Sequence, residues 1–239
     1  LLSLCCLFCI FFLVRGLRSA MVRTSGNKGR SSGALRTVVL LLSGWLLLLG
    51  VLSSMGFFAD LSRLPPRPGL AMLLPLPVIL WALSSKRGKE LLNSIPPHWV
   101  LYLQSFRIVV ELVIWLCVVD RLLPVQMSFE GRNFDILSGL FAAPVGYYCF
   151  VKRSWPSWVV PVYNVAGLLL LINIVSIAVL SMPTPLRVFY NEPANTLIVK
   201  FPFIYLPGFL VPLAYTLHIF SLRQWMMSRQ KVAAPADLT

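Results

Sequence analysis

The chain predicts an all-α fold, a polytopic transmembrane helical bundle of about six spans with both termini cytoplasmic. Three observations carry that prediction. Of 239 residues, 58% are hydrophobic and only 12% charged, where a soluble domain carries about 25% charged residues. Apolar runs of roughly 20 residues, the length that crosses a bilayer as a helix, alternate with short polar stretches. The net charge of +13 concentrates in alternate loops, as the positive-inside rule requires. In a soluble protein that charge would suggest nucleic acid. No basic–aromatic motif accompanies it here, so the expected partner is the lipid bilayer and not nucleic acid. The alternating ten-residue pattern of a membrane β-barrel is missing from the sequence.

Residues 1–34 form a basic N-terminal segment. Leu1–Val14 is short for a span, and Arg15 and Arg18 follow it, the reverse of a signal peptide. Residues 1–20 therefore read as an over-extended start or an interfacial anchor. Met21 would be the natural start, opening a basic stretch rich in Gly and Ser.

The membrane domain runs over residues 35–225, with spans at about 35–59, 68–83, 99–119, 135–151, 159–181 and 201–221, before a polar tail at 226–239. The second span is short and interrupted by Pro75 and Pro77, which makes a re-entrant segment the alternative. Charge counting arbitrates. With six spans, fourteen Lys and Arg fall on the cytoplasmic side and six outside; if the second does not cross, the tally becomes ten against ten.

In the third span Gln104, Arg107, Glu111 and Trp115 recur at helical spacing and share one face. Each charge alone would cost roughly 2.5–3.5 kcal/mol at a helix centre, so pairing within the helix or with a neighbour is expected. Such a pair either locks the packing or marks a polar site. In the second case Arg107 fixes an anionic group while Glu111 takes up a proton or orients the arginine.

The loop before the fourth span packs Glu130, Arg132, Asn133 and Asp135 between Phe129 and Phe134. Asn133 suits an N-cap, and Asp135 in the first turn would complement the helix dipole. Glu130 and Arg132, flanking Gly131, point to an outer lid.

In the fourth span Gly139, Ala143 and Gly146 offer a small-residue face for close helix contact. In the fifth, Asn164, Asn173 and Ser176 are expected to hydrogen-bond between helices. Pro202, Pro207 and Pro212 should kink or unwind the sixth. His98 and His218 fall near the cytoplasmic ends of their spans, where histidine is unremarkable. The five cysteines form no dense His/Cys cluster of the kind a metal site needs. No cofactor or metal is called for.

Several strings together resemble a family of uncharacterised bacterial integral membrane proteins. They are Phe58-Ala59-Asp60 with Pro65-Pro66-Arg67, Arg107 to Glu111, FEGRNFDIL from Phe129 to Leu137, Phe201-Pro202-Phe203, Leu206-Pro207, and His218 with Ser221 to Gln224. The resemblance covers roughly Val38 to Trp225, and residues 1–20 depart from it. It implies a six-helix protein of the bacterial inner (plasma) membrane with a FEGRNFD-type outer loop, and no activity.

The functional expectation is a polar site between the third, fourth and sixth spans, open to the outer face. It would bind or move a small polar or anionic solute or a lipid headgroup. Gln104, Arg107, Glu111, Glu130, Arg132, Asn133 and Asp135 are its candidate residues. Two other classes compete: a membrane-embedded enzyme using Glu111 or Asp135 as acid/base, and an assembly protein whose ion pair is purely structural. Nothing in the sequence specifies catalytic residues or oligomeric state.

Overall fold

The computed structural model describes residues 1–25, 28–62 and 64–233. All regular secondary structure among those residues is helical, without strands. Four helices are long and apolar enough to cross a membrane: Leu2–Val22, Leu35–Ser54, Pro97–Val119 and Val159–Leu180. Arg67–Trp81 and Ile136–Val151 are shorter apolar helices. The chain is a helical membrane protein.

Helix α1 (Leu2–Ser25) departs from expectation. The stretch that looked too short to span continues helically through Arg15 and Arg18, so its apolar window reaches spanning length. Leu2, Cys5, Cys6 and Cys9 are buried in the main core, and Phe12 packs against Trp99. Structurally this is part of the bundle and not a surface anchor.

Helix α2 (Lys28–Ser54) crosses beside it. α3 (Arg67–Leu73) and α4 (Pro75–Ser84) together make the short second segment. They part at Leu74, because Pro75 offers no N–H to continue the ladder. α5 (Lys86–Ser94) is an additional short helix over a stretch read from sequence as loop. The predicted third span is two helices, α6 (Pro97–Leu103) and α7 (Phe106–Val119). At the joint the ladder tightens: Gln104 N–H donates to Leu101 O, and Arg107 N–H donates to Gln104 O. No proline marks that joint in the sequence, and it lies immediately before Phe106, with Arg107 the second residue of α7.

Helix α8 (Ile136–Gly146) runs into a π-helical turn at Tyr147–Val151. α9 (Val159–Leu180) is a full-length crossing. The last segment opens with a π-helical turn at Leu206–Leu210 and continues as α10 (Val211–Ala233). The sequence expectation of an interruption near Pro207 is met there. α10 also runs well beyond the predicted end at 221, so residues as far as Ala233 are helix, and the polar tail is described only that far.

The packing brings α7, α8, α9 and α10 together, with α6 against α8 and α10. Gly139 permits the α7–α8 approach: a Cβ there would lie 2.9 Å from the Ile108 backbone nitrogen. Gly146 meets the Tyr102 ring in the same way. Between them Ala142, and not Ala143, faces inward. From the other side α2 braces the Leu206–Leu210 turn. Trp45 Nε1 donates to Gly208 O at 2.8 Å, and Ser53 Oγ donates to Val199 O at 2.8 Å. A π-turn leaves carbonyls without regular helical partners, and the Trp45 bond satisfies one of them.

Candidate functional site

Arg107, on α7, is 2% exposed, and a guanidinium buried so deeply in an apolar bundle needs partners. It finds them on two other elements. Asp135, at the start of α8, accepts from Arg107 Nε at 2.7 Å, and its second carboxylate oxygen accepts from Nη2. This is a two-pronged Arg–carboxylate pair. The third contact is Arg107 Nη1 to His218 Nε2 on α10, at 2.8 Å. A guanidinium only donates, so Nε2 accepts and the ring proton sits on Nδ1. Nδ1 then donates to Asn164 Oδ1 on α9 at 2.9 Å. Asn164 Nδ2 passes the chain on, to Ser221 Oγ at 2.8 Å and to Val160 O at 2.8 Å. Four helices are thereby joined by one run of buried hydrogen bonds.

The histidine needs room, and Gly167 gives it. A Cβ at Gly167 would lie 2.3 Å from His218 Cε1. Tyr163, one turn earlier on α9, packs its ring near the imidazole at 5.7 Å and donates its hydroxyl to Ser138 O at 2.9 Å.

Glu111 lies one turn beyond Arg107 but does not pair with it. Its Oε2 accepts from Asn133 Nδ2 at 2.6 Å. That amide also donates to Met127 O at 2.9 Å, while Asn133 Oδ1 accepts the Asp135 backbone N–H at 3.0 Å. Asn133 is thus a bracket between the two acids and not the N-cap expected from sequence. Asp135 itself occupies the cap position of α8 and turns its side chain to Arg107. The expectation of relief by a neighbour holds, and the neighbour is Asp135.

The other candidates lie apart. Gln104 is buried at the α6–α7 joint, donating to Ala214 O at 3.3 Å while its Oε1 has no partner. Arg132 leaves the cluster, its guanidinium 5.5 Å from the Phe189 ring and its carbonyl bonded by Asn173 Nδ2 at 2.8 Å. Glu130 is exposed and, among the described residues, joins no ion pair. Neither is among the hydrogen-bond partners of Arg107.

His218, Asn164 and Ser221 complete the cluster that sequence reasoning left partial. His218 looked interfacial because the last span was drawn to end at 221. With α10 running to Ala233, it lies well inside the helix. The available signal was the stripe Ala214, His218, Ser221, Trp225 at helical spacing, polar in its middle.

Beside the cluster lies a cleft of about 100 Å³ between α3, α7, α9 and the start of α10. Phe106, Ile114, Leu171, Ile174, Leu206 and Leu210 are among its walls. Its polar lining consists of Arg107, Glu111 and Asp135 alone. Among the described residues, no three His, Cys, Asp or Glu side chains gather as a metal site would require.

Fold and site define a class: an all-helical membrane protein with a charged, hydrogen-bonded cluster at the wall of an apolar cleft. No family model, curated protein or solved structure matches the chain.

Proposed function

We propose that the protein binds and moves a membrane-soluble amphiphile, its apolar body in the cleft and its polar end at Glu111. The observation that carries this reading is the lining, apolar everywhere except at Arg107, Glu111 and Asp135. Such a cleft suits a lipid-like ligand better than a fully polar solute, which would be desolvated without compensating hydrogen bonds. An anion held by Arg107 is also disfavoured, since Asp135 already neutralises that charge through two contacts. Movement is supported by the interruptions around the cleft: the α6–α7 joint, the break before Pro75, and the π-turn at Leu206–Leu210. Broken helices of this kind line substrate paths in transporters, and π-turns recur at functional sites.

The same reading places the segments from α2 to α10 as six crossings of a bacterial plasma membrane. The basic stretch between α1 and α2 and the end of α10 then lie in the cytoplasm, which satisfies the positive-inside rule. Acid/base enzymology has less support, because Asp135 is committed to Arg107 and Glu111 has no second catalytic group opposite it.

A purely structural role for the cluster is favoured by one observation, the saturation of Arg107 by Asp135 and His218. It leaves the cleft unexplained. The two readings separate by photolabelling in nanodiscs with a diazirine-bearing octyl alcohol. Ligand binding predicts labels on peptides containing Leu171–Val179 and Leu206–Ala214, competed by plain octanol and lost in Val175→Trp, which fills the cleft. Labels spread evenly over lipid-facing surfaces, without competition, would leave the structural lock as the function of the cluster.

A further inference from the structure

Glu111 is the one acid of the cluster without a cation of its own. Arg107 and Asp135 cancel, and His218 is neutral by the hydrogen bonds it makes. Glu111 has Asn133 bonded to it, Arg107 one turn away on its own helix and Asp135 beside it in the cleft wall, while the His218 ring from α10 faces Arg107. None supplies a second positive charge. Glu111 is 1% exposed. Its Oε2 takes the Asn133 bond, and among the described residues no hydrogen bond reaches Oε1. The residue forms part of the cleft wall.

An ionised Glu111 would leave the cluster with a net negative charge in an apolar surround, at a cost of several kcal/mol. A proton on the carboxyl removes that charge. So does a cation brought by the ligand. From this balance, and resting on the cleft-binding reading above, we infer that the ligand is an amphiphilic amine and that it enters in exchange for a proton held on Glu111. In the empty cleft the carboxyl is the acid. When an alkylammonium head arrives, the carboxyl O–H bond breaks and the proton leaves to water. The carboxylate then faces the ammonium, and its alkyl chain lies against Ile114, Leu171 and Leu210. Charge is conserved at each stage, one positive unit in for one out. An alcohol of the same chain length fits the cleft without this exchange, and a carboxylate would add a second negative charge.

The test uses the full chain in nanodiscs with three octyl probes: octylamine, octanol and octanoate. Calorimetry measures affinity, and an indicator dye in weak buffer counts protons. For the wild type we expect release of one proton per octylamine bound, and an affinity rising about tenfold per pH unit over the range in which the empty site holds its proton. Octanol should bind with no proton release and no pH dependence, and octanoate should bind weakest. Glu111→Gln keeps an acceptor for Asn133 and should abolish both proton release and pH dependence. If that variant does not fold, the wild-type proton count decides alone. Octylamine bound without proton release, or no tighter than octanoate, overturns the exchange while leaving the cleft reading intact. No specific binding of any probe overturns the cleft reading, and the exchange with it.

Discussion

Arg107–Asp135 and Arg187–Glu192 are the same chemical pair in two settings. In the first, the side chains are 2% and 6% exposed. In the second they are 15% and 71% exposed, with Arg187 Nη2 and Glu192 Oε1 2.9 Å apart. Arg187 also donates to the carbonyls of Phe189 and Asn191, so its pair trims a loop. Arg107 instead joins α7 to α8 and, through His218, to α9 and α10. Contact geometry is similar, and consequence differs. Solvent screens the exposed pair and competes for both partners. The buried pair has no such alternative, so removing one half strands the other.

The largest expected effect follows. Asp135→Ala leaves the Arg107 guanidinium buried with only His218, and should destabilise the fold by about 3–5 kcal/mol. Monodisperse yield and thermal melting in detergent would measure it. The double change Arg107→Leu with Asp135→Leu removes both charges and should recover most of the loss. If Asp135→Ala melts like the wild type, the contrast between the buried and exposed pairs collapses.

The fold was legible to the degree that it depends on apolar periodicity. α9 lies within a residue or two of its predicted bounds because Val159–Leu180 is uniformly apolar. α6–α7 and α10 were only partly legible. The joint at Gln104 carries no proline or glycine; it is made by tertiary contacts, including the Gln104 bond to Ala214 on α10. In the site, Arg107 and Glu111 announced themselves by being charged in an apolar run. Their partners did not, because Asp135 and Asn133 read equally well as capping residues, and pairing across a helix turn is nearer in sequence than pairing across a loop. His218 and Asn164 are 54 residues apart, and no local pattern signals that distance.

A smaller effect should come from His218, where the cluster meets α9 and α10. Gly167→Val places side-chain atoms where the imidazole now sits and should cost about 1–3 kcal/mol by overpacking. Asn164→Ala keeps the ring in place but leaves Nδ1–H without its acceptor, costing about 1–3 kcal/mol. Because both act on the Arg107–His218 contact, the double variant should lose less than the sum of the two losses. Strict additivity in melting experiments would show that His218 packs beside Arg107 without being coupled to it.

The smallest effect belongs to the exposed loop that carries Arg187 and Glu192, and its sign is testable with pH. The Arg187 hydrogen bond, aided by the Ala194 backbone N–H, holds the Glu192 carboxyl below its ordinary value. Such a group contributes stability that is fully present above the unfolded value and is lost as pH falls through the folded one. The loop over Arg187–Asn195 should therefore exchange its amide hydrogens faster only below the ordinary carboxylate range, about pH 4. Glu192→Gln should remove that dependence while leaving the global melting temperature unchanged, since a screened surface pair contributes little. A drop in melting temperature comparable to that of Asp135→Ala would mean that exposure does not separate the two pairs, and that the Arg187–Glu192 loop helps hold the bundle together.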